Sequence, residues 1–545
     1  MALLFNKSIV KNTLQYLNLR LFYIWLLFFS FLSVAISPEI SAPYAVASTY
    51  IFYYLLYLIN NTIFKISLYF LTISLVIYYP ISMLYGTINS GIIAAFLETN
   101  FSEAASFLGG FSVDMFILPF LYILSLIILI RLLKYNIKPT IKSQKILFII
   151  LIVVFLFTLL YSPSVIYFKN NYDWEEKTWK LSNTPINIIS FYSEMYNSFE
   201  SYYTEKKLLE NAKDIVVDWN ILSTSSQYKN YVLVIGESAR KDYFSTYGFP
   251  LQTTPFLDKT NGYINQGYIS AAPGTYHSLL GSLYFKEKEK KIDYAYNIIT
   301  LAKAAKIETI WLSNQGAIGK YDTIASRIGA SADKQYFIKK AGYNTSGETD
   351  DLELLPLFQN ELKKENPTDK ARLFVLHLMG SHQKFCSRLN EEEKKIIFIN
   401  ENLSCYASSI LKTDAIIEKI IAQLQQQNEP YSLIYFSDHG LSHINKDDQE
   451  KVTLDYSGKF KQNYAVPFFK LSSDDSDRTV VNTQRSAMNF IYGFAQWLGI
   501  KSQRLGQSYD FFSEKNDSAI KVYNFEQMLP FNSLESDPIP YYLTK

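Results

Sequence analysis

The first third of the chain is patterned differently from the rest. Between Arg20 and Glu39 lies LFYIWLLFFSFLSVAISP, and residues 40–64, 66–97, 115–130 and 146–168 contain no charged side chain. A bilayer core of roughly 30 Å needs about 20 apolar residues per helix, so these runs predict five membrane-spanning helices, with the fourth the shortest. The first run differs from a signal peptide: no small-residue cleavage pattern follows it, and four more spans do. It is expected to stay attached.

From Lys169 to about residue 228 the chain turns polar and aromatic. Phe, Tyr, Met and Leu recur at helical spacing in FYSEMYNSFESYYTEKKLLENAKDIV. That spacing predicts amphipathic helices, either along a membrane surface or packed as a linker on the next domain.

The pattern changes again at Tyr231. YVLVIGES, ARLFVLHLMGSH from Ala371 and YSLIYFSDHG from Tyr431 are apolar runs without polar alternation, which is the signature of strands buried on both faces of a parallel sheet. Helical stretches such as DAIIEKIIAQLQQQ from Asp414 separate them, so strand and helix alternate as in an α/β domain with a mostly parallel sheet. The expected organisation is a five-helix transmembrane domain over 1–168, a bridging amphipathic segment over 169–228 and an α/β domain over 229–545.

Charge adds orientation. The first, third and fifth polar segments around the spans carry Lys7, Lys11 and Arg20, then Lys65, then Arg131, Lys134, Lys138, Lys142 and Lys145, with no acid. The alternate segments carry Glu39, then Glu98, Glu103 and Asp114, with no base. Basic residues mark the cytoplasmic side, so the N-terminus is expected in the cytoplasm and everything after residue 168 on the far side, the periplasm of a Gram-negative cell. The net charge of +2 selects no partner, and no nucleic acid is expected. Cys386 and Cys405, the two cysteines, fall in the exported part, where an oxidising compartment lets them pair; a free buried pair is the alternative.

The chemistry gathers at strand ends, where open α/β sheets place their ligand crevice. Glu237 ends one strand, His377 and His382 lie in and after another, and Asp438 and His439 end a third. The five histidines, at 277, 377, 382, 439 and 443, all belong to this domain. Carboxylate and imidazole together, without thiolate, suit zinc or manganese better than calcium or magnesium.

VIGESARKDYFSTYGFPLQTTPFLD from Val234, WLSNQGAIGKYDT from Trp311, HLMGSH from His377 and YFSDHG from Tyr435 closely resemble the phosphoethanolamine transferases that modify bacterial lipopolysaccharide, members of the alkaline phosphatase and sulfatase superfamily. The resemblance extends to the layout of five helices, bridge and periplasmic catalytic domain. It implies that Glu237, Asp438 and His439 hold a catalytic zinc, with Thr275 as fourth ligand and nucleophile and Ser278, three residues on, as the fallback. Many relatives flank this threonine with cysteines; here there are none. The resemblance further assigns His377 and His382 to the donor phosphate, the acceptor or a second metal, and offers Asn314 and Lys320 for phosphate oxygens. A histidine usual in relatives before the stretch that here reads KFKQNYAVPFF is absent, and His443 is the candidate substitute or a solvent-exposed loop residue. The implied reaction moves phosphoethanolamine from phosphatidylethanolamine to a lipopolysaccharide sugar, on lipid A or the inner core, at the inner membrane. The added ammonium would reduce the negative surface that attracts cationic peptides such as polymyxin.

A phosphoglycerol transferase or sulfatase of the same superfamily shares the metal residues and is the competing enzyme. A non-catalytic scaffold is expected to have lost some of them, and a transporter needs polar groups inside its spans.

Overall fold

The computed structural model describes residues 7–540 except 38–43, 86, 99–112, 135–144, 170–178, 212–214, 287–292, 317–322, 340–348, 367–369, 507–508 and 526. The chain forms two compact units, residues 1–171 with 176–202, and residues 203–545 with 172–175.

In the first unit four helices are long and apolar enough to cross a membrane, over Leu17–Ala35, Asn61–Met83, Val113–Leu133 and Lys145–Phe168. The expected second span is a helix of 15 residues, Ala45–Ile59, which at about 1.5 Å per residue falls short of the hydrocarbon core. Asn60 ends it, with an extended backbone at φ −153°. The Asn60 side chain then accepts from the backbone N–H groups of Thr62 (2.7 Å) and Ile63 (3.2 Å), which starts the next helix. The break therefore falls before Lys65. Large apolar side chains such as Ile24, Phe31, Ile73, Phe120 and Val153 stand exposed along these helices, a surface suited to lipid.

The helix Asn187–Asn211 continues this unit as far as Tyr202. Its first residue donates from Nδ2 to Ser33 Oγ at 2.8 Å, and the Tyr192 hydroxyl lies 2.5 Å from Ser74 Oγ with its ring stacked on Phe70. This part of the bridge is held by side chains of the apolar helices.

The second unit is built on an eight-stranded sheet. In chain order its strands are β1 Asn230–Gly236, β2 Gly262–Asn265, β3 Glu308–Gly316, β4 Lys334–Lys339, β5 Arg372–His377, β6 Tyr431–Ser437, β7 Phe468–Ser472 and β8 Arg478–Val481. Across the sheet they run β8-β2-β7-β6-β1-β5-β3-β4. The sheet is mixed rather than uniform: β7 pairs antiparallel with β6 and β2, while β6, β1, β5, β3 and β4 pair in parallel. Alternation along β1 sends Tyr231, Leu233 and Ile235 to one core and Val232 and Val234 to the other, because successive side chains leave a strand on opposite faces. The first core includes the helix Thr275–Leu283 through Leu279 and Leu280. The second takes the helix Glu401–Gln425, whose Cys405 is disulfide-bonded to Cys386. With β1 between β5 and β6, the registers put Ile235 beside both His377 and Phe436, and Gly236 beside Ser437.

Candidate active site

That register brings three strand ends together. Glu237 follows β1, Asp438 and His439 follow β6, and all three are buried to 1 % exposure or less. The turn out of β1 is unusual. Ser238 adopts φ +57°, a left-handed conformation that costs a non-glycine residue free energy, and it is held there from several sides. Its N–H donates to Asp438 Oδ1 (3.0 Å), its hydroxyl to Glu237 Oε1 (2.7 Å), and its carbonyl accepts from the Tyr406 hydroxyl (2.8 Å).

Thr275 is the first residue of its helix, after Gly274. Its hydroxyl donates to Glu237 Oε2 at 3.0 Å and lies 3.2 Å from His439 Nε2. His439 Nδ1 sits 2.8 Å from the Gly440 carbonyl. A carbonyl only accepts, so Nδ1 carries the proton, and in the neutral ring Nε2 presents its lone pair. Nε2 faces Glu237 Oε1 at 3.3 Å and Asp438 Oδ2 at 3.5 Å. Ser278 stands apart: its hydroxyl donates to the Asp438 carbonyl at 2.5 Å and so braces the loop.

Over residues 229–500 the chain matches the sulfatase family model. It is 31 % identical to phosphoethanolamine transferase OpgE of Escherichia coli K12 over 523 residues, covering 95 % of this chain and 96 % of that one. The chain belongs to the phosphoethanolamine transferases of the alkaline phosphatase and sulfatase superfamily. A putative phosphoethanolamine transferase of Haemophilus influenzae is 41 % identical over 231 residues, 40 % of this chain and 47 % of that one. The integral membrane lipooligosaccharide phosphoethanolamine transferase A (EptA) of Neisseria meningitidis shares the fold, with TM-score 0.51 and 18 % identity over 88 % of this chain and 96 % of that one. With four helices long and apolar enough to cross a membrane, the transferase is a membrane protein.

Does the transferase's triad fit a metal? One ligand atom each from Glu237, Asp438 and His439 lies within 4.8 Å of the others. Asp438 Oδ2 is buried with no hydrogen-bond partner. Two carboxylates thus converge on one imidazole, the only group of the three that can carry positive charge, and buried charge is costly unless it is paired or bound to metal. The carboxylate oxygens and imidazole nitrogen are ligands zinc accepts. The residues fit.

Titration behaviour follows from the crowding. Burial and the neighbouring Glu237 charge push Asp438 up to about 8. Burial would lower His439, but the Asp438 and Glu237 charges raise it to about 9. Burial also opposes ionisation of Glu237, yet its contacts with His439 hold it well below the ordinary carboxylate range.

The remaining expected residues are placed as follows. His377, fully buried, ends β5 with Nδ1 3.3 Å from Ser313 Oγ. Burial pushes both His377 and His382 down to about 4, against the pull of Glu237. Both are neutral at pH 7. The Asn314 amide donates to Asp351 Oδ1 (2.7 Å) and the Thr349 carbonyl (3.1 Å), and Asp351 in turn accepts from Met379 and Gly380 N–H groups at 2.8 Å each. Asn314 thereby shapes the loop between His377 and His382. Lys320 lies outside the described residues. His443 is buried, 2 % exposed, not a solvent-facing loop residue, and it stands outside the triad. It bonds Asp537 and Tyr243. His277 packs on Tyr276 and Tyr523.

Sequence reasoning missed Gln315. Its amide donates to Glu237 Oε2 (3.2 Å) and the Leu378 carbonyl (2.8 Å). The signal was available, since Gln315 adjoins Asn314 in β3 and alternation sends the two side chains opposite ways.

Proposed function

We propose that this enzyme transfers phosphoethanolamine from phosphatidylethanolamine to a sugar hydroxyl or phosphate of lipopolysaccharide, on lipid A or the inner core, through a phosphoethanolamine–Thr275 intermediate. The observation that carries the reading is the Thr275 hydroxyl, hydrogen-bonded at 3.0 Å to Glu237 and 3.2 Å from His439 Nε2, at the start of a helix and the mouth of the sheet.

Glu237, Asp438, His439 and Thr275 would hold one zinc ion. Bound there, zinc lowers the pKa of a ligating hydroxyl and neutralises phosphoryl charge. Thr275 Oγ1 forms a bond to phosphorus, the bond from phosphorus to the glycerol oxygen breaks, and diacylglycerol leaves with the hydroxyl proton. An acceptor oxygen then bonds to phosphorus, the bond to Thr275 breaks, and the acceptor proton restores the threonine hydroxyl. His377 and His382, kept neutral by burial, contact the donor phosphate or the acceptor. Gln315 fixes the second oxygen of Glu237, and Ser278 braces Asp438 from its carbonyl.

Both substrates sit in membranes, which supports an enzyme anchored by apolar helices. We place the N-terminus in the cytoplasm and the catalytic domain in the periplasm, from the split of basic and acidic residues among the loops. Mass spectrometry of lipopolysaccharide from cells with the parent protein or Thr275→Ala tests the whole reading. The expected result is a phosphoethanolamine unit present only with the parent. A modification that persists with Thr275→Ala overturns the nucleophile, and a modified soluble glycan with unmodified lipopolysaccharide overturns the acceptor.

A further inference from the structure

We infer that Asp537 is a positioning residue for the metal group, a latch that holds the ligand-bearing loop from behind. The inference rests on the reading that Glu237, Asp438 and His439 bind a divalent cation. Asp537 touches neither Thr275 nor any of the three ligands.

Its side chain is fully buried. Oδ2 accepts from Arg240 Nη1 at 2.7 Å and from the His443 N–H at 2.8 Å, and lies 3.0 Å from His443 Nδ1. Its carbonyl accepts from Arg240 Nη2 at 2.8 Å, and its N–H donates to Gln462 Oε1 at 2.7 Å. Arg240, three residues after Glu237, also donates from Nη1 to the Leu441 carbonyl at 3.3 Å. One carboxylate therefore joins the segment that carries Glu237 to the segment that carries Asp438 and His439.

The consequence for the ligands runs through Gly440. Its carbonyl accepts from His439 Nδ1 and so sets the ring's orientation and tautomer, the role outer-shell partners of metal-bound histidines play. Gly440 itself is clamped. Its N–H donates to the Asn463 carbonyl at 2.8 Å, and a Cβ there would come within 2.3 Å of the Gln462 carbonyl oxygen. Asp537 grips both sides of this clamp, His443 on the loop and Gln462 beneath it. Without its charge Arg240 keeps only Asp242 (2.6 Å) as an ion-pair partner, the loop loses its anchor at His443, and His439 Nε2 no longer meets Glu237 and Asp438 in one place.

The test is zinc affinity of the full-length protein in detergent, measured by competition with a chromophoric chelator, together with the absorption spectrum of the cobalt-substituted protein. Asp537→Asn is expected to weaken zinc binding about tenfold or more, within the range seen for outer-shell changes, and to alter the cobalt spectrum. Gln462→Ala is expected to do the same to a smaller degree; if Asp537→Asn gives no cooperative melting transition, this variant decides. Truncation after Pro540, which keeps the latch, is expected to bind like the parent. Asp438→Asn separates the two hypotheses. If it abolishes zinc binding while Asp537→Asn and Gln462→Ala bind as tightly as the parent, the latch is overturned and the metal site stands. If the parent binds no zinc, both fall.

Discussion

Two buried clusters of acid and imidazole hang from the ends of β1 and β6, and they answer the cost of burial in opposite ways. Behind the strand ends, Arg240 and Lys446 meet Asp242, Asp537 and His443, with the Arg240 and Lys446 nitrogens 2.7 and 2.6 Å from Asp537. Each acid there has a cation of the protein's own. At the front, Glu237 and Asp438 share only the His439 imidazole, with no Lys or Arg against them among the described residues, and an oxygen of Asp438 is left without a hydrogen-bond partner. Two buried acids that share one imidazole raise the free energy of the folded chain unless something from outside supplies further positive charge. The contrast teaches that a mixture of Asp, Glu and His does not by itself mark a metal site; the shortfall of counter-charge does.

The largest expected effect follows directly. Thr275→Ala, Glu237→Gln or zinc removal by chelation should lower transfer of labelled phosphoethanolamine by about 10³-fold or more, because groups that act as a unit fail together. Circular dichroism should remain that of the parent. Near-parent activity in Thr275→Ala would move the nucleophile to Ser278.

Opposite signs of stability then sharpen the contrast. In chelated protein Asp438→Asn should raise the unfolding free energy by about 1–3 kcal/mol, since it removes a buried carboxyl that burial and Glu237 keep from ionising as it would in the unfolded chain. Asp537→Asn should lower it by about 3–5 kcal/mol, since it leaves a buried arginine short of its partner. Urea titrations of the two variants against the parent read this out, and shifts of the same sign would break the distinction drawn between the clusters.

The pH dependence should separate them next. Asp438 and His439 are both raised in the folded state, to about 8 and about 9. Groups raised on folding contribute stability that is present below their unfolded values and lost as pH rises through the folded ones. Chelated protein should therefore lose stability progressively as pH rises from about 4, where Asp438 ionises in the unfolded chain, through about 9. Asp537 is lowered, burial notwithstanding, by His443 and Arg240, so its contribution is present at neutral pH and lost as pH falls into the acid range. Thermal melting between pH 6 and pH 9 should slope downward for chelated parent, stay flatter with zinc bound, and flatten in Asp438→Asn but not in Asp537→Asn.

Much of this was legible in the sequence because burial on both faces leaves an unbroken apolar run: YVLVIG, RLFVLH and YSLIYFS became β1, β5 and β6. The residues just past those runs had to share one edge of the sheet, so Glu237, Asp438 and His439 could be grouped before any geometry. Other features lacked such a signal. Four-residue β2 is too short for periodicity, and the reversed direction of β7 is set by its pairing rather than its composition. Asn60 interrupts an uncharged stretch without adding a charge, so a reading that bounds the spans by charged residues passes over it. Asp537 lies 94 positions from His443, beside a proline and outside any periodic element, and its role exists only in three dimensions.

The smallest predicted effect examines the border of the front cluster. Ser278 Oγ donates to the Asp438 carbonyl at 2.5 Å and is buried, so it touches the backbone of a ligand and not the ligand atom. Ser278→Ala leaves that carbonyl without its hydroxyl partner, at a cost of about 1 kcal/mol in unfolding free energy, measurable by urea titration. Because Thr275 keeps its bonds to Glu237 and its approach to His439, transfer should fall only by a factor of about 3 to 10, the size expected when about 1 kcal/mol of support is withdrawn from a site. A loss as deep as that of Thr275→Ala would put the serine hydroxyl in the reaction itself, and the front cluster would then need a second oxygen nucleophile within it.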